Sequence, residues 1–360
     1  MVFTTRASMY SPQRNRPTPL SYTVMKRGDA PLPSQIAARA SRLSVAPMMD
    51  WTDRHCRYFH RLMSAKALLY TEMVTAPAIV RGDHARLLAH HAREHPLALQ
   101  LGGSDPDELA AAVRIATKFG YDEYNLNCGC PSDRVQSGTF GAVLMKDPGR
   151  VAECVAAMRD VSPVDVTVKC RIGVDEQEPE EVLPEFIARV VAAGVERISI
   201  HARKAWLQGL SPKENRDIPP LNYPLVYEMK ALFPHLHISI NGGVMSLDKV
   251  TAHLEQGMDG VMVGRAAYHA PADVLLGADQ AVYGAEGSAK TAEDVALEML
   301  PYIEAHLESG GRLHQITRHM LGLFTGRPGA RGWRRVLSEQ GTRDGAGVAT
   351  VREALGRVTG

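Results

Sequence analysis

No apolar run in this chain approaches the roughly 20 residues that a membrane-spanning helix needs, which argues against a helical anchor. Charge of one sign is not in surplus either: 41 Lys and Arg stand against 40 Asp and Glu, a formal net charge of +1, so no uniformly basic surface for nucleic acid is implied. Cysteine is scarce. Cys56, Cys128, Cys130, Cys154 and Cys170 are an odd number in a long chain, which speaks against a disulfide framework and for a reducing, cytoplasmic setting. Also missing is a G-x-G-x-x-G stretch behind a first strand, the mark of a doubly wound dinucleotide fold. With 360 residues, 45% hydrophobic and 22% charged, the chain can bury a full core as one large domain with a smaller one beside it.

The charges that are present are unevenly placed. Before Leu43, Arg6, Arg14, Arg16, Lys26, Arg27, Arg39 and Arg42 face a lone acid, Asp29. From Arg312 onward, Arg318, Arg327, Arg331, Arg334, Arg335, Arg343, Arg352 and Arg357 outnumber Glu339, Asp344 and Glu353. Basic ends on an acidic middle point to a polyanion gripped by one part of the protein, or else to solvated tails. Residues 1–42 carry Pro12, Pro17, Pro19, Pro31 and Pro33 without periodicity and read as a disordered basic leader. A transit peptide, or a start codon placed upstream of a true start at Met25, would look the same.

Downstream, β-type runs alternate with amphipathic helical stretches. The runs are Leu43 to Ala46, Ala67 to Thr71, Pro96 to Leu101, Glu123 to Asn127, Asp165 to Cys170, Arg197 to His201, His237 to Asn241 and Gly260 to Val263. Between them, one helix is expected to start at a Ser104 cap and close on Gly120, one to end on Gly194, and one to run from Ser246 to Gly257. Eight βα units over roughly 230 residues predict an α/β fold, a (β/α)8 TIM barrel over 43–284. Residues 285–340 are expected to form a small helical domain, with 341–360 as a tail.

Such barrels carry their sites at the C-terminal rim of the strands, and here the strand ends are polar, sulfur-bearing or glycine. Parity sharpens the point, because residues i and i+2 on a strand share a face. Asn125 with Asn127, Lys169 with Arg171, Ser199 with His201, and Ser239 with Asn241 fall on one parity; Leu126, Val168, Ile198, Ile200, Ile238 and Ile240 fall on the other. The apolar set faces the helices, so the polar set points at the barrel axis and needs polar partners.

"NGGV" at Asn241, Gly242, Gly243 and Val244, and "VGRA" containing Gly264 and Arg265, suit a phosphate at the last two strand ends, where glycine lets main-chain N–H groups approach. Glycines that merely turn the chain are the plainer alternative. Lys169 on an inner face calls for an anionic or strongly accepting partner, which the pyrimidine edge of a flavin would supply. Gln100 and the main chain at Pro47, Met48 and Met49 suit the remaining flavin edges, and His201 the ring or its phosphate arm, unless His201 is simply a satisfied core histidine. Under a flavin lying across the mouth, the loop after the fourth strand would overhang it. Cys130 would then stand where a thiol can give a proton to a conjugated C=C taking hydride. A packed structural cysteine, or a C-x-C metal site with Cys128, stays open here; no His or second Cys cluster accompanies the pair, so no metal is expected.

Several segments together resemble the tRNA-dihydrouridine synthase family: "APMMDWTDRHCRYFHR" from Ala46, "LYTEMVTAPAIVRGD" from Leu69, "LQLGGSDP" from Leu99, "NLNCGCPSDRVQSGTFGAVLM" from Asn125, "VKCRIG" from Val168, "IHARKAWLQGLSPKENRDIPPL" from Ile200, "INGGV" and "VMVGRAAY". The insert "KAWLQGLSPKENR" resembles the A subfamily, which acts on D-loop uridines 20 and 20a. The resemblance covers about Leu43 to Ser338, leaving out the leader and the tail from Gly341. It implies FMN as bound cofactor and NADPH as reductant. It implies Cys130 as proton donor, and Gln100, Lys169, His201, Pro47 to Met49, Asn241 to Gly243 and Gly264 to Arg265 as the FMN cradle. Asn127 sits where the family touches the target uracil, with Arg171 close enough to share the task.

A free-pyrimidine dehydrogenase would share barrel, flavin and cysteine; the basic C-terminal segment favours tRNA. Arg318, Arg331 and Arg334, with Lys204, Lys213 and Arg216 of the insert, are the expected phosphate contacts. Phe324 and Trp333 are packing or stacking groups, Trp333 more in keeping with core. A non-redox phosphosugar isomerase would leave Lys169 and Gln100 idle, and a catalytically dead tRNA binder would not need Cys130. No membrane partner is expected, and the oligomeric state is open with a monomer favoured.

Overall fold

The computed structural model describes residues 38–132 and 140–359. Most of the expected leader, and residues 133–139 of the loop after the fourth strand, lie outside the described residues. Eight parallel strands, β1 (Leu43–Val45), β2 (Leu68–Thr75), β3 (Leu97–Gly102), β4 (Glu123–Cys128), β5 (Val166–Arg171), β6 (Arg197–His201), β7 (His237–Asn241) and β8 (Gly260–Val263), run in sequence order. β1 pairs with both β2 and β8, which closes a TIM barrel. No helix among the described residues is long and apolar enough to cross a membrane.

Local chemistry sets the element ends. β2 outlasts its expected end at Thr71, because past an irregularity its pairing with β3 resumes at Met73, Val74 and Thr75. The helix Pro106–Ala116 is capped by Asp105, whose Oδ1 accepts the Glu108 N–H at 2.8 Å, and not by Ser104. Pro106 at the first helical position makes Asp105 the natural cap. Ser246 does cap Leu247–Glu255.

The expected leader boundary at residue 42 moves back. Ala40 and Ser41 are buried, and the Tyr283 hydroxyl donates to the Ala40 carbonyl at 2.8 Å while accepting the Leu43 N–H at 3.2 Å. Arg39 and Arg42 donate to the carbonyls of Tyr283 and Val282. These contacts seal the barrel floor, so residues 38–42 belong to it.

Among the described residues beyond 284, five helices follow: Ala292–Glu298, Leu300–Glu308, Leu313–Met320, Ala330–Gln340 and Val348–Thr359. One carboxylate joins them to the barrel. Asp53 Oδ1 caps the helix Arg54–Met63 by accepting from the His55 and Cys56 N–H groups, and Oδ2 receives Arg318 Nη2 at 2.5 Å and His319 Nε2 at 3.1 Å. Burial opposes the charge on Asp53, but the His319 hydrogen bond and charge and the Cys56 N–H hold its carboxyl well below the usual range. Beside this joint the Trp51 ring stacks on Tyr268 at 4.5 Å.

The expected tail is a packed helix, a second correction. Val351 and Ala354 are buried in the common core. Gly329, at φ 78°, leaves no room for a Cβ beside the Arg357 carbonyl, and a Cβ at Gly332 would lie 2.8 Å from that of Arg357. Two glycines thus let the last helix settle on its neighbour. Gly329→Ala should therefore cost about 2 kcal/mol through left-handed strain and this close approach. Urea denaturation reads the loss, and an unchanged midpoint would mean that the two segments do not pack.

Candidate active site at the barrel mouth

The parity argument holds in three dimensions. Leu126, Val168, Ile198, Ile200, Ile238 and Ile240 are buried against the helices, while Asn125, Asn127, Ser199, His201, Ser239 and Asn241 are buried on the axis. The inward groups find one another. Asn127 Nδ2 donates to Gln100 Oε1 at 2.8 Å, and Gln100 Nε2 to Asn125 Oδ1 at 2.8 Å. Across the barrel Lys169 Nζ donates to Asn241 Oδ1 at 3.1 Å, and Asn241 Nδ2 to the Met262 carbonyl at 2.7 Å.

The β7 and β8 ends are shaped by glycine. Gly242, at φ 109°, passes so close to His201 that a Cβ there would lie 2.6 Å from its Cδ2. Tyr223 fixes the turn by donating its O–H to the Gly242 carbonyl at 2.6 Å, and Gly243 continues it at φ 70°. Gly264 borders the Met48 sulfur, which brings the β8 and β1 ends together. Pro47 and Met48 are half-buried there, and Met49 stands 55% exposed.

Cys130 leaves β4 on a side-chain-made turn. Asn127 Oδ1 accepts both the Gly129 and the Cys130 N–H at 3.0 Å, and the half-exposed thiol donates to Ser132 Oγ at 3.6 Å. Arg171 is buried and occupied: Nε donates to the Gly129 carbonyl at 3.2 Å, and Nη1 to those of Lys204 at 3.0 Å and Asn215 at 2.8 Å. Its guanidinium ties the cysteine loop to the insert after β6.

The insert has its own anchor, which sequence reasoning missed. Asn215 is fully buried; its Oδ1 accepts the Trp206 N–H at 2.7 Å and its Nδ2 donates to the Trp206 and Leu210 carbonyls. Set between Lys213 and Arg216, it gave no apolar or periodic signal. Lys204 Nζ lies 5.3 Å over the Trp206 ring, whereas Lys213 and Arg216 are exposed. Arg265 leans on the insert by pairing with Asp217 at 2.7 Å. Arg318, Arg331 and Arg334 belong to the C-terminal helices and not to the strand ends. Arg318 is engaged by Asp53, while Arg331 and Arg334 line the exposed face of a helix whose other face buries Trp333. Trp333 donates Nε1–H to the Met320 carbonyl and meets Phe324 edge-on, so both rings are core.

The field at the mouth is positive. Burial, then the charges of Arg171, Lys169, Arg203 and Arg265, hold the His201 imidazole neutral, far below its ordinary pKa. Lys169 is pushed down to about 8 by burial and by Arg171. A neutral imidazole and crowded cations suit a ligand that brings negative charge and hydrogen-bond acceptors.

Polar and cationic strand ends at the C-terminal rim of a closed βα barrel are the arrangement of a barrel enzyme. Its family follows from comparison: residues 44–358 match the dihydrouridine synthase (Dus) family, and the chain belongs to it. The match extends past Ser338 through the last helix, in agreement with the packing of that helix. A tRNA-dihydrouridine(20/20a) synthase of Vibrio cholerae is 58% identical over 318 residues, 88% of this chain and 96% of that protein. One of Shewanella oneidensis is 60% identical over 313 residues, 86% of this chain and 92% of that protein. Among solved structures, an old yellow enzyme homologue from Zymomonas mobilis overlaps at TM-score 0.48 and 12% identity, across 64% of this chain and 86% of that one, too distant a likeness to carry an argument.

The Lys169 shift has a measurable sign. Its ordinary pKa of 10.5 applies to the unfolded chain, so from about pH 8 to 10.5 the unfolded state holds a proton that the folded state has released. Stability should rise with pH over this window by an increment that Lys169→Met lacks. Urea midpoints of both proteins from about pH 7.5 to 9.5 make the comparison, and parallel curves would refute a depressed lysine.

Proposed function

We propose that the protein reduces the C5=C6 bond of D-loop uridines 20 and 20a in tRNA to 5,6-dihydrouridine, with bound FMN as cofactor and NADPH as reductant. The observation that carries this reading is the half-exposed Cys130 thiol, turned out by Asn127 over a cation-rich mouth. The names of the relatives support tRNA over a free pyrimidine as substrate.

The residues present fit a flavin mononucleotide. Glycine turns at Gly242 and Gly243, closed against His201 and Tyr223, leave main-chain N–H groups for a phosphate, with Gly264 and Arg265 beside them. Lys169 and Gln100 offer N–H donors to an acceptor-rich ring, and the main chain of Pro47, Met48 and Met49 borders it. When bound, the flavin supplies the hydride for the uracil carbon β to the carbonyl. Cys130 Sγ–H gives its proton to the α carbon, and Asn127 orients the uracil. Arg171 serves this step through the loops it joins as well as by its charge.

Reduction at a base edge requires the uridine to leave its stack, so the surrounding phosphates must be held. Lys204, Lys213 and Arg216 at the rim, and Arg318, Arg331 and Arg334 on the C-terminal helices, take that part. A single chain contains every group named, in keeping with a monomer, and the free thiols suit the cytoplasm.

The purified protein should show a flavin spectrum and convert uridine in tRNA on addition of NADPH; a colourless protein that takes up no FMN would sink the proposal. Cys130→Ala should retain FMN and tRNA binding but lose about 10²- to 10⁴-fold in turnover, and near-normal turnover would remove Cys130 as the acid. Arg331→Ala with Arg334→Ala should weaken tRNA binding and lower the slope of log affinity against log salt by about 1 to 2. Filter binding across a salt series reads this, with flavin reduction as the unchanged control.

A further inference from the structure

We propose that a one-directional hydrogen-bond chain, anchored on the buried Glu123–Arg197 pair at the barrel floor, decides which way the amides of Gln100 and Asn127 face at the mouth. Glu123 and Thr167 are thereby positioning residues for a site they do not touch. The consequence for catalysis rests on the reading that Gln100 and Asn127 face cofactor and uracil; the chain itself does not.

The direction follows from the donor inventory. A carboxylate only accepts. Arg197 Nη2 lies 2.8 Å from Glu123 Oε2, while Oε1 takes the Tyr70 O–H at 2.6 Å and the Thr167 O–H. Thr167 has one proton, and Glu123 receives it. Toward Asn125 the threonine oxygen can therefore only accept, and Asn125 Nδ2 donates to it at 2.8 Å. That turns Asn125 Oδ1 to Gln100, which must donate through Nε2; Gln100 Oε1 then faces Asn127, which must donate through Nδ2. Asn127 is left with its oxygen toward the N–H groups of Gly129 and Cys130.

The same assignment results from the other end. Main-chain N–H groups only donate, so Asn127 must show them its oxygen, and each amide below must then point as it does. Two ends of fixed polarity agree, and rotating any single amide would set NH2 against NH2, or oxygen against oxygen, in a dry interior. Gln100, Asn125 and Thr167 are lateral neighbours on β3, β4 and β5, and every member of the chain is at most 7% exposed. At the floor, Thr167, Tyr70 and Arg197 also border a small polar cavity. A charge pair at the closed end of the barrel in this way specifies which hydrogen-bonding atoms Gln100 and Asn127 offer at the open end, and it secures the Cys130 main chain.

The test uses flavin-free, 15N-labelled protein and follows the side-chain NH2 protons of Gln100 and Asn127, with FMN affinity titrated separately. Thr167→Val should speed their solvent exchange at least about tenfold and weaken FMN about tenfold, the worth of one net hydrogen bond. Thr167→Ser, which keeps the hydroxyl, should restore both. Asn125→Leu keeps the approximate shape but removes both the acceptor that Gln100 meets and the donor that Thr167 meets, and it should repeat the Thr167→Val result even if that variant does not fold. Tyr70→Phe removes a Glu123 donor outside the chain and should lower the melting temperature while leaving amide exchange and FMN affinity alone. Protected amides in Thr167→Val or Asn125→Leu, no rescue by Thr167→Ser, or equal damage from Tyr70→Phe would overturn the chain. If the amides respond as expected but the wild type binds no FMN, the chain stands and the flavin assignment falls.

Discussion

A polar side chain turned into a closed barrel has no access to bulk water, so it must be satisfied by another inward side chain or by the main chain. This constraint governs the protein from floor to mouth. Arg197 pairs with Glu123 and Asp165 and donates to Ser41 at the base, amides and a hydroxyl bridge the middle, and Lys169 meets Asn241 near the top. Branched hydrocarbon on the same parity would pack as well and stabilise more readily, since buried ionic groups seldom contribute more than the apolar residues they replace. What the polar axis supplies is orientation: donors and acceptors with one permitted arrangement, delivered to the strand ends.

At the mouth the unbalanced quantity is charge. The groups that act on His201 are cations, and Arg265, next to Gly264 at the end of β8, is held by Asp217 just beyond the insert. Burial first, and then neighbouring cations, lower the pKa of Lys169 (beside Arg171) and of Arg171 (beside Arg216 and Arg203). Any anion bound there would relieve that repulsion and so add to the stability of the loaded protein. The thiol lies within the same field but on a loop of its own, braced by Asn127 from below and by Arg171 from the side. Because Arg171 also holds the insert, the position of the insert and the placement of Cys130 are mechanically coupled.

The C-terminal helices are joined to the barrel by a joint that uses one carboxylate twice. Asp53 satisfies helix N–H groups with one oxygen and takes Arg318 and His319 with the other, so the start of the first barrel helix and the C-terminal helical layer share an origin. With Trp51 on Tyr268 beside it, this joint sets the helices relative to the β1 and β8 ends.

Strand order, the inward parity of Asn127, Lys169, His201 and Asn241, and the chemical character of each strand end were all legible in the sequence, because periodicity and residue type are local properties that a regular fold preserves. The family resemblance extended the same local signals. Only tertiary structure decided that Asn215 is a buried anchor, that Arg171 is occupied by three carbonyls, that residues 38–42 close the floor, and that Val348–Thr359 is part of the core. Each of these depends on a partner far away in the chain: Arg171 on Gly129 and Asn215, Ala40 on Tyr283, Gly329 on Arg357. A residue's type states what it can donate, accept or bury, but which distant group arrives to meet it is settled by the closure of the barrel.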